Sequence, residues 1–382
     1  PRNYHALVNQ LGGHEKGSMD DSGGVYGFGK EVTYGVSRQR MVFYYSRLFH
    51  PYYSRFDSHK GEVTRRFVGV NWLDTDVDMG PGPNFLRKSH FGVEEDLSQF
   101  GEEYAEQESL TRSLYNEEAD EMAELLGLRI RGDGDFGTTI VIVDFYDTDH
   151  ECKEDATSLL SRLKQSQEWY YYPTLIDGRF KSTFKFSQGD QSPDPFSEPN
   201  SSGFAEAYKL VTKGEETEDF AFRRFNVPIP ANPDRGFDEG REAAFLLGVK
   251  FSEVEVFEDP VDNEAKPRDN TIAWVRGAGL AVTHERQTHI GNPTKKFHGV
   301  LICGTQVERV FTDGDYDGEA QKMADRLISY SENVSHDEIS DSSSLVDFQQ
   351  WPDSRETIKR IKKKLRSELK KIVSDKGSDN PK

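Results

Sequence analysis

The chain has 382 residues, 35% of them hydrophobic and 12% aromatic, so it is long enough for two domains that each bury a core. Its 67 acidic residues outnumber 48 basic ones, and the net charge of -19 excludes a protein that coats nucleic acid over its whole surface. No apolar run reaches the roughly 20 residues that span a bilayer and no secretory signal opens the chain, which predicts a cytoplasmic protein without a membrane partner.

The cysteines and the first residues of the sequence lead to two further predictions. Cys152 and Cys303 have no second Cys or His at a metal-ligand spacing, so we expect reduced thiols and no metal centre. The first residue is Pro1, and a glycine-rich segment already begins at Gly23. We interpret the sequence as an N-terminally truncated part of a longer protein.

Residues 1–150 have the mixed pattern of an α/β domain. Short apolar runs bounded by polar or Gly/Pro residues predict strands, and a stretch rich in Glu, Ala, Leu and Met that closes on Gly127 predicts a helix. The predicted elements are a strand at Met41–Ser46, a strand at Arg66–Trp72, a helix over Glu103–Leu128 and a buried strand over Thr138–Phe145.

A change of pattern near residue 150 predicts a second domain, of α+β type, over residues 151–334. Its half-exposed strand is predicted from alternating polar and apolar residues, and its loop from several Pro and Ser residues. The predicted elements are a helix over Glu154–Trp169, the half-exposed strand Arg179–Phe186, the loop 187–203, and strands over Val249–Phe257, Thr271–Val275 and Gly299–Cys303.

Residues 335–382 are predicted to form a mobile linker, rich in Ser and Asp over 335–350, and then a basic amphipathic helix. In the helix Lys and Arg fill the faces left by an apolar stripe at helical spacing, made of Ile358, Ile361, Leu365, Leu369 and Ile372. Such a helix either docks on the acidic body of the protein or contacts a partner protein, a nucleic acid or a membrane surface.

One glycine-rich segment indicates an anionic ligand. Glycines admit positive φ angles and bring bare main-chain N–H groups against an anion, and a lysine at the end of the segment adds a positive charge. The segment consists of Gly24, Val25, Tyr26, Gly27, Phe28, Gly29 and Lys30. A structural turn without a ligand is the simpler alternative.

The same residues also satisfy most of the P-loop pattern, G-x-x-x-x-G-K-[ST]. Glu31, however, stands where that fold places a Ser or Thr hydroxyl on Mg²⁺, and a carboxylate there repels the phosphates. Residues 14–22 are polar throughout, whereas a P-loop follows a buried apolar strand. The P-loop interpretation is therefore the weaker one.

The order of elements around the glycine segment resembles the GHKL superfamily of ATPases, which includes gyrase, the MutL repair proteins, histidine kinases and the ninety-kilodalton heat-shock chaperone. In that family a G-x-x-G-x-G lid opens a helix that leads into a strand, as Gly24–Gly29 leads through Ser37 into Met41–Arg47 here. The family also carries a Gly-Thr pair at the start of a late strand of the same sheet, matched here by Gly137-Thr138. Lys16 resembles a lysine often found where the lid begins.

The resemblance implies a partial Bergerat-type α/β sandwich, a transducer-like α+β domain and the basic C-terminal helix. It implies a hydrolase that uses ATP and Mg²⁺, with the glycine lid and Lys30 on the phosphates and Thr138 beneath the adenine. The family's helix bearing the catalytic Glu and the Mg²⁺-binding Asn, and its D-x-G-x-G adenine loop, precede the lid, and neither pattern occurs before residue 24. We expect ATP hydrolysis from the full-length protein and none of note from this chain, and we assign no catalytic residue.

By the same resemblance, closure of the lid couples nucleotide state to a change of shape, and the protein forms a homodimer that serves DNA transactions or phage defence. The transducer of such relatives places a lysine on the γ-phosphate, for which Lys250, Lys295 and Lys296 are candidates, although solvated surface lysines are the simpler interpretation. The rival hypothesis is a non-enzymatic interaction module that works through its basic helix.

Two other polar runs give weaker evidence of a functional site. The spacing of His284, Glu285 and His289 is one residue too long for a zinc site on a helix. The adjacent trio Ser335, His336 and Asp337 lacks the context of a catalytic triad, because triads form in space and not by sequence adjacency. We assign neither run a function.

Overall fold

The computed structural model describes residues 29–49, 62–72, 88–95, 110–146, 156–183, 203–252, 269–288, 290, 295–310, 316–332, 339 and 351–376. The chain forms two compact units, with described residues 29–146 in the first and 156–376 in the second. Helices and mainly antiparallel sheets occur in both units, so the predicted α+β class is confirmed.

The first unit is built on an antiparallel sheet. Its elements are α1 (Gly29–Gly35), β1 (Met41–Phe49), β2 (Val63–Trp72), β3 (Lys88–Phe91), β4 (Val93–Glu95), β5 (Leu110–Arg112), β6 (Leu114–Tyr115), α2 (Glu117–Leu125) and β7 (Gly137–Ile142). The strand order is β3-β2-β1-β7, with β6 also paired to β2, while β4 and β5 pair with each other. The strands predicted at Met41–Ser46 and Arg66–Trp72 are confirmed as β1 and β2.

Alternation along β1 sends successive side chains to opposite faces of this sheet. Val42 and Tyr44 are buried with Tyr34 of α1 on one face. Tyr45 is buried on the other face with Ala119 and Ala123 of α2. Each helix therefore covers one face of the sheet.

Two predictions for the first unit are wrong. Among its described residues, the helix predicted over Glu103–Leu128 begins only at Glu117, because residues 110–112 and 114–115 pair with β4 and β2 and Asn116 has a φ of 48°, outside the helical range. Residues 103–109 lie outside the described residues. The end of the helix is as predicted, since Gly127 takes the left-handed φ of 68°. The strand predicted as buried over Thr138–Phe145 is an edge strand among the described strands, and Ile140 is 51% exposed.

The second unit contains a five-stranded sheet between two layers of helices. Its elements are α3 (Ala156–Ile176), α4 (Gly203–Lys213), β8 (Phe220–Ile229), β9 (Arg241–Ser252), β10 (Thr271–Arg276), β11 (Leu280–Arg286), β12 (Lys296–Ile302), α5 (Gln306–Val310), α6 (Gly318–Tyr330) and α7 (Ser354–Lys376). The strand order is β11-β10-β12-β9-β8, and every pair is antiparallel except β10 with β12.

Helices bury both faces of this sheet. The cluster on one face includes residues of α3 and α4, such as Trp169 and Phe204, and the cluster on the other includes residues of α6 and α7, such as Leu327 and Leu365. Because both faces are covered, β9 carries the nearly continuous apolar run Ala243–Val249, interrupted only by glycine. No described helix combines the length and the apolar character needed to cross a bilayer.

Of the helix predicted over Glu154–Trp169, residues 156–169 belong to α3, and residues 154 and 155 lie outside the described residues. The strand predicted at Thr271–Val275 is confirmed as β10, and the predicted basic amphipathic helix is confirmed as α7. The strand predicted over Arg179–Phe186 is wrong for its described residues: 179–183 form no strand, and Arg179 instead pairs with Asp177 at 2.9 Å. Gly203, predicted in a loop, opens α4. Of the predicted strand Val249–Phe257, residues 249–252 belong to β9 and the rest lie outside the described residues.

The pattern of the sequence also missed whole elements, namely α4, β8 and α6. Strand β8 escapes detection because it contains Arg223, Arg224 and Pro228, which interrupt its apolar alternation. A proline is tolerated there because β8 is the edge strand of the sheet, where a missing N–H breaks no ladder.

Candidate functional site

The glycine segment leads directly into α1. Gly24, Val25, Tyr26, Gly27 and Phe28 lie outside the described residues, whereas Gly29 and Lys30 are the first two residues of α1, so the helix predicted after the segment is confirmed. The first N–H groups of a helix have no partner within the helix and point toward the residues that precede it. The described backbone therefore turns helical where the glycine segment ends.

The C-terminal end of α1 is tied to the far end of β7. The Ser37 hydroxyl donates to the carbonyl oxygen of Val143 at 2.6 Å. The main-chain N–H of Arg38 donates to Asp144 at 3.0 Å, and that of Tyr146 donates to Val36 at 2.7 Å. These three bonds hold the helix against the strand that carries the Gly-Thr pair.

Thr138 lies on the same face of the sheet as α1. The register of β7 on β1 places Ile140 opposite Tyr44 and Thr138 opposite Ser46, and residues two apart on a strand share a face. The hydroxyl oxygens of Ser46 and Thr138 are 2.9 Å apart. This face is therefore covered by α1 at Tyr44, while Thr138 and Ile140 beyond it are exposed.

Gly137 is held in a conformation that favours glycine. Its φ is 146°, and a Cβ atom built there would lie 3.0 Å from a guanidinium nitrogen of Arg131. Arg131 in turn donates to the hydroxyl of Thr139 at 3.0 Å, on the face opposite Thr138. The Gly-Thr pair thus starts β7 in a fixed backbone geometry.

Charged groups gather on that opposite face. Arg47, only 10% exposed at its side chain, donates to Asp133 at 2.6 Å and to the carbonyl oxygen of Arg131 at 3.2 Å. A hydrogen bond from Arg129 lowers the pKa of Asp135. These ion pairs brace the turn before β7, and they lie on the face opposite Thr138.

The exposed part of the α1 face, formed by Ser46, Thr138 and Ile140, is named here the hydroxyl patch. Two neutral hydroxyls can donate and accept hydrogen bonds, and an exposed isoleucine offers apolar area to a flat ring. A hydroxyl with an unperturbed environment is not an acid or base at neutral pH. The patch can bind and orient a ligand, but it supplies no proton-transfer group of its own.

Two of the three candidate lysines of the second unit, Lys250 and Lys296, are engaged within that unit. Lys250 pairs with Asp219. Lys296 lies 2.9 Å from Asp269, and its hydrogen bond lowers the pKa of that largely buried carboxyl. Neither contact involves a residue of the glycine segment, and we assign no phosphate contact to Lys250, Lys295 or Lys296.

Of the two weaker motifs, only His284 and Glu285 lie within the described residues. His284 stacks on Trp169 with ring centroids 4.1 Å apart, whereas Glu285, its neighbour on β11, faces α7 and lies 3.9 Å from Lys362. His289, Ser335, His336 and Asp337 lie outside the described residues, as does Cys152. In the described part of the chain no three His, Cys, Asp or Glu residues are grouped to hold a metal ion.

The second unit contains a buried ionic cluster that no sequence pattern predicts. Arg276, at the end of β10, pairs with Glu332, which follows α6 in the sequence. Asp325 of α6 accepts a hydrogen bond from the main-chain N–H of Gly277 at 2.8 Å. Cys303 lies beside them as a free thiol whose pKa is raised by burial, so it is not a ready nucleophile. The only signal in the sequence is an arginine that closes the apolar run Thr271–Val275.

Comparisons with known proteins found no similar protein. The chain matches no protein-family model. It likewise matches no curated protein and no solved structure.

Proposed function

We propose that the first unit binds ATP and is the nucleotide-binding module of a GHKL-type ATPase. In this proposal the main-chain amides of Gly24–Gly29 and the ammonium group of Lys30 hold the phosphates, while the base lies on the hydroxyl patch. The observation that supports it best is the placement of Thr138 on the sheet face to which α1, the helix opened by the glycine segment, is attached.

Each group has a distinct task in this arrangement. Glycine amides that can take positive φ approach the phosphate oxygens closely and match their negative charge, and Lys30 adds a point charge. Thr138 contacts the adenine directly or through a water molecule, with Ser46 holding its hydroxyl in place at 2.9 Å. Ile140 supplies apolar contact to the base.

Hydrolysis needs groups beyond these. The family pattern calls for a glutamate base and an asparagine that binds Mg²⁺, both ahead of the lid, and the sequence before residue 24 carries neither pattern. The described residues do not offer a cluster of carboxylates for a metal ion either. We therefore propose nucleotide binding for this chain and assign none of its residues to hydrolysis.

Melting temperature measured with Mg-ATP and with a non-hydrolysable analogue tests the proposal. A ligand that binds the native state stabilises it by about 2.7 kcal/mol when its concentration is a hundred times Kd. We expect a rise at millimolar nucleotide that is reduced in Lys30→Ala and in Thr138→Val. Thr139→Val is the matched control, because it removes the same hydroxyl from the same strand on the opposite face and should keep the nucleotide-dependent rise.

Other outcomes would identify a rival. No rise in the wild-type chain would favour a non-enzymatic interaction module with a structural glycine turn. Tighter nucleotide binding by Glu31→Thr would favour the P-loop interpretation, because the new hydroxyl is the group that a P-loop presents to Mg²⁺. Equal losses in Thr138→Val and Thr139→Val would remove the hydroxyl patch from the site.

A further inference from the structure

Helix α7 is a strongly positive element in a negative protein. It carries ten Lys or Arg and three Asp or Glu residues, although the whole chain has a net charge of -19. A local concentration of charge against the overall sign indicates a specific surface more than a general adjustment of solubility.

The apolar stripe of α7 is already occupied. Ile358, Ile361, Leu365 and Leu369 are at most 1% exposed and belong to the core cluster that includes β8 and β9. An amphipathic helix binds a membrane surface or a partner's groove through its apolar face. Because that face is buried within the unit, the surface left for a partner is the charged one.

Four cations form a continuous line on this surface, named here the basic ridge: Lys359, Lys363, Arg366 and Lys370. Residues spaced by four, three and four lie one above the other on a helix, and the ridge extends over about 17 Å. Together with Lys362 and Ser367 it lines an open groove of about 540 Å³.

The charge of the ridge is only partly neutralised. Lys359 pairs with Glu356 at 2.8 Å, and Arg366 lies 3.8 Å from Glu285, which Lys362 also approaches. Lys363 and Lys370 form no ion pair within the part of the chain that the structure describes. Two carboxylates thus face five cations.

We propose that the basic ridge binds the phosphate backbone of double-stranded DNA without reading its sequence. A duplex presents one negative charge per roughly 1.7 Å of its axis, so a 17 Å line of cations faces several phosphates at once. The lining residues contain no aromatic side chain on which an unpaired base would stack, which favours a duplex over a single strand. Lysine is depleted in protein–protein interfaces, and the lining has no apolar anchor for an acidic protein.

The test is a titration of a labelled duplex of about 20 base pairs with the whole chain, followed by fluorescence anisotropy at several salt concentrations. Each phosphate contact contributes about -0.9 to the slope of log K against log salt, so four ridge contacts predict a slope between about -3 and -4. We expect the double variant K363A/K370A to weaken binding and to make the slope shallower by nearly 2.

The matched control is K364A/K371A. It removes two lysines of the same helix at positions shifted by one residue, which places them about 100° around the helix from the ridge. The control should retain most of the affinity and the slope, and circular dichroism should show that both variants keep their helix content. Equal effects of the two variants, or no binding at about 50 mM salt, would overturn the proposal.

A gain of affinity provides an independent check. Glu285→Gln removes the carboxylate that competes for Lys362 and Arg366, so duplex binding should become several-fold tighter. Competition experiments separate the possible ligands. Displacement by single-stranded DNA or duplex RNA at lower concentration than by duplex DNA contradicts the choice of duplex DNA, and equal displacement by polyglutamate would identify an acidic protein as the ligand.

Discussion

Arg276 and Glu332 form a bidentate ion pair that is almost completely withdrawn from water, at 2% and 0% side-chain exposure. Burial opposes the charge on Arg276, but the attraction of Glu332 outweighs it and raises the pKa of the guanidinium. Asp325 is the excess acid of the cluster, and burial raises its pKa although Arg276 acts in the opposite direction. Arg276 is therefore the group whose positive charge stabilises both buried carboxyls.

Arg276→Met should cost about 3–5 kcal/mol of unfolding free energy, because it leaves two buried carboxyls without their cation. Asp325→Asn should cost less than about 1 kcal/mol, since the amide oxygen still accepts from Gly277 and the ionised acid is already disfavoured. Urea titration measures both values. In Arg276→Met the loss should shrink as pH falls, because Asp325, whose pKa burial raises, becomes neutral; a pH-independent loss would contradict this account.

His298 is a second residue whose charge state bears on stability. Its ring packs 4.9 Å from Phe204, and a Cβ atom on Gly203 would lie only 2.4 Å from its Nδ1. Burial lowers its pKa below the usual 6.5, against the attraction of Asp269. The folded protein thus binds this proton less readily than the unfolded chain.

The free energy of unfolding should consequently be fully maintained above pH 6.5 and should fall as the pH drops below it, through the range between the unfolded and folded pKa values. The contribution of one such group is at most about 1.4 kcal/mol per pH unit. His298→Gln should flatten the dependence measured by urea titration between pH 7 and 5. His90→Gln, in the first unit, is the control; an equal flattening there would refute the assignment.

At the scale of elements, α7 was predictable and the segment before α2 was not. The spacing of Ile358, Ile361 and Leu365 predicts that one face of the helix is buried, and this prediction does not depend on which sheet the helix covers. By contrast, Leu110 and Leu114 have helical spacing, but the segments that contain them pair with β4 and β2. Tertiary pairing overrides local propensity there, and no local pattern reveals it.

The contribution of α7 to the core can be measured at neighbouring positions. Leu365→Ala should lower the free energy of unfolding by about 2–5 kcal/mol, because it opens a cavity at a side chain that is 1% exposed. Lys364→Ala, on the exposed side of the same helix turn, should change it by no more than about 0.5 kcal/mol. Similar values for the two variants would mean that α7 does not pack as described.

At the scale of the whole molecule, the described hydrophobic clusters divide between the two units. Tyr34, Tyr45 and Phe67 belong to clusters of the first unit, while Trp274 and Leu365 belong to a cluster of the second. Hydrogen exchange of Leu365→Ala should therefore show lower protection in β8 and β9 and unchanged protection in β1 and β2. Equal losses in both units would show that they unfold as one.

Two elements beside the candidate site carry a local signal in the sequence. The helix after Gly29 and the strand after Gly137 follow from glycine placement and apolar runs, and the helix packs on the sheet that contains this strand. The cluster of Arg276 and Glu332 joins residues 56 positions apart. Only the fold brings such residues together, so a single sequence holds no sign of their pairing.

Helix α7 also has a consequence for synthesis of the protein. Trp351 and Pro230 are hydrogen-bonded although 121 residues separate them, and α7 closes the face of a sheet that is translated long before it. Until Val373 has left the ribosome, the apolar side of β8 and β9 has no cover from α7. The nascent chain should depend on chaperones during that interval, because bare apolar surface and unpaired strand edges promote aggregation.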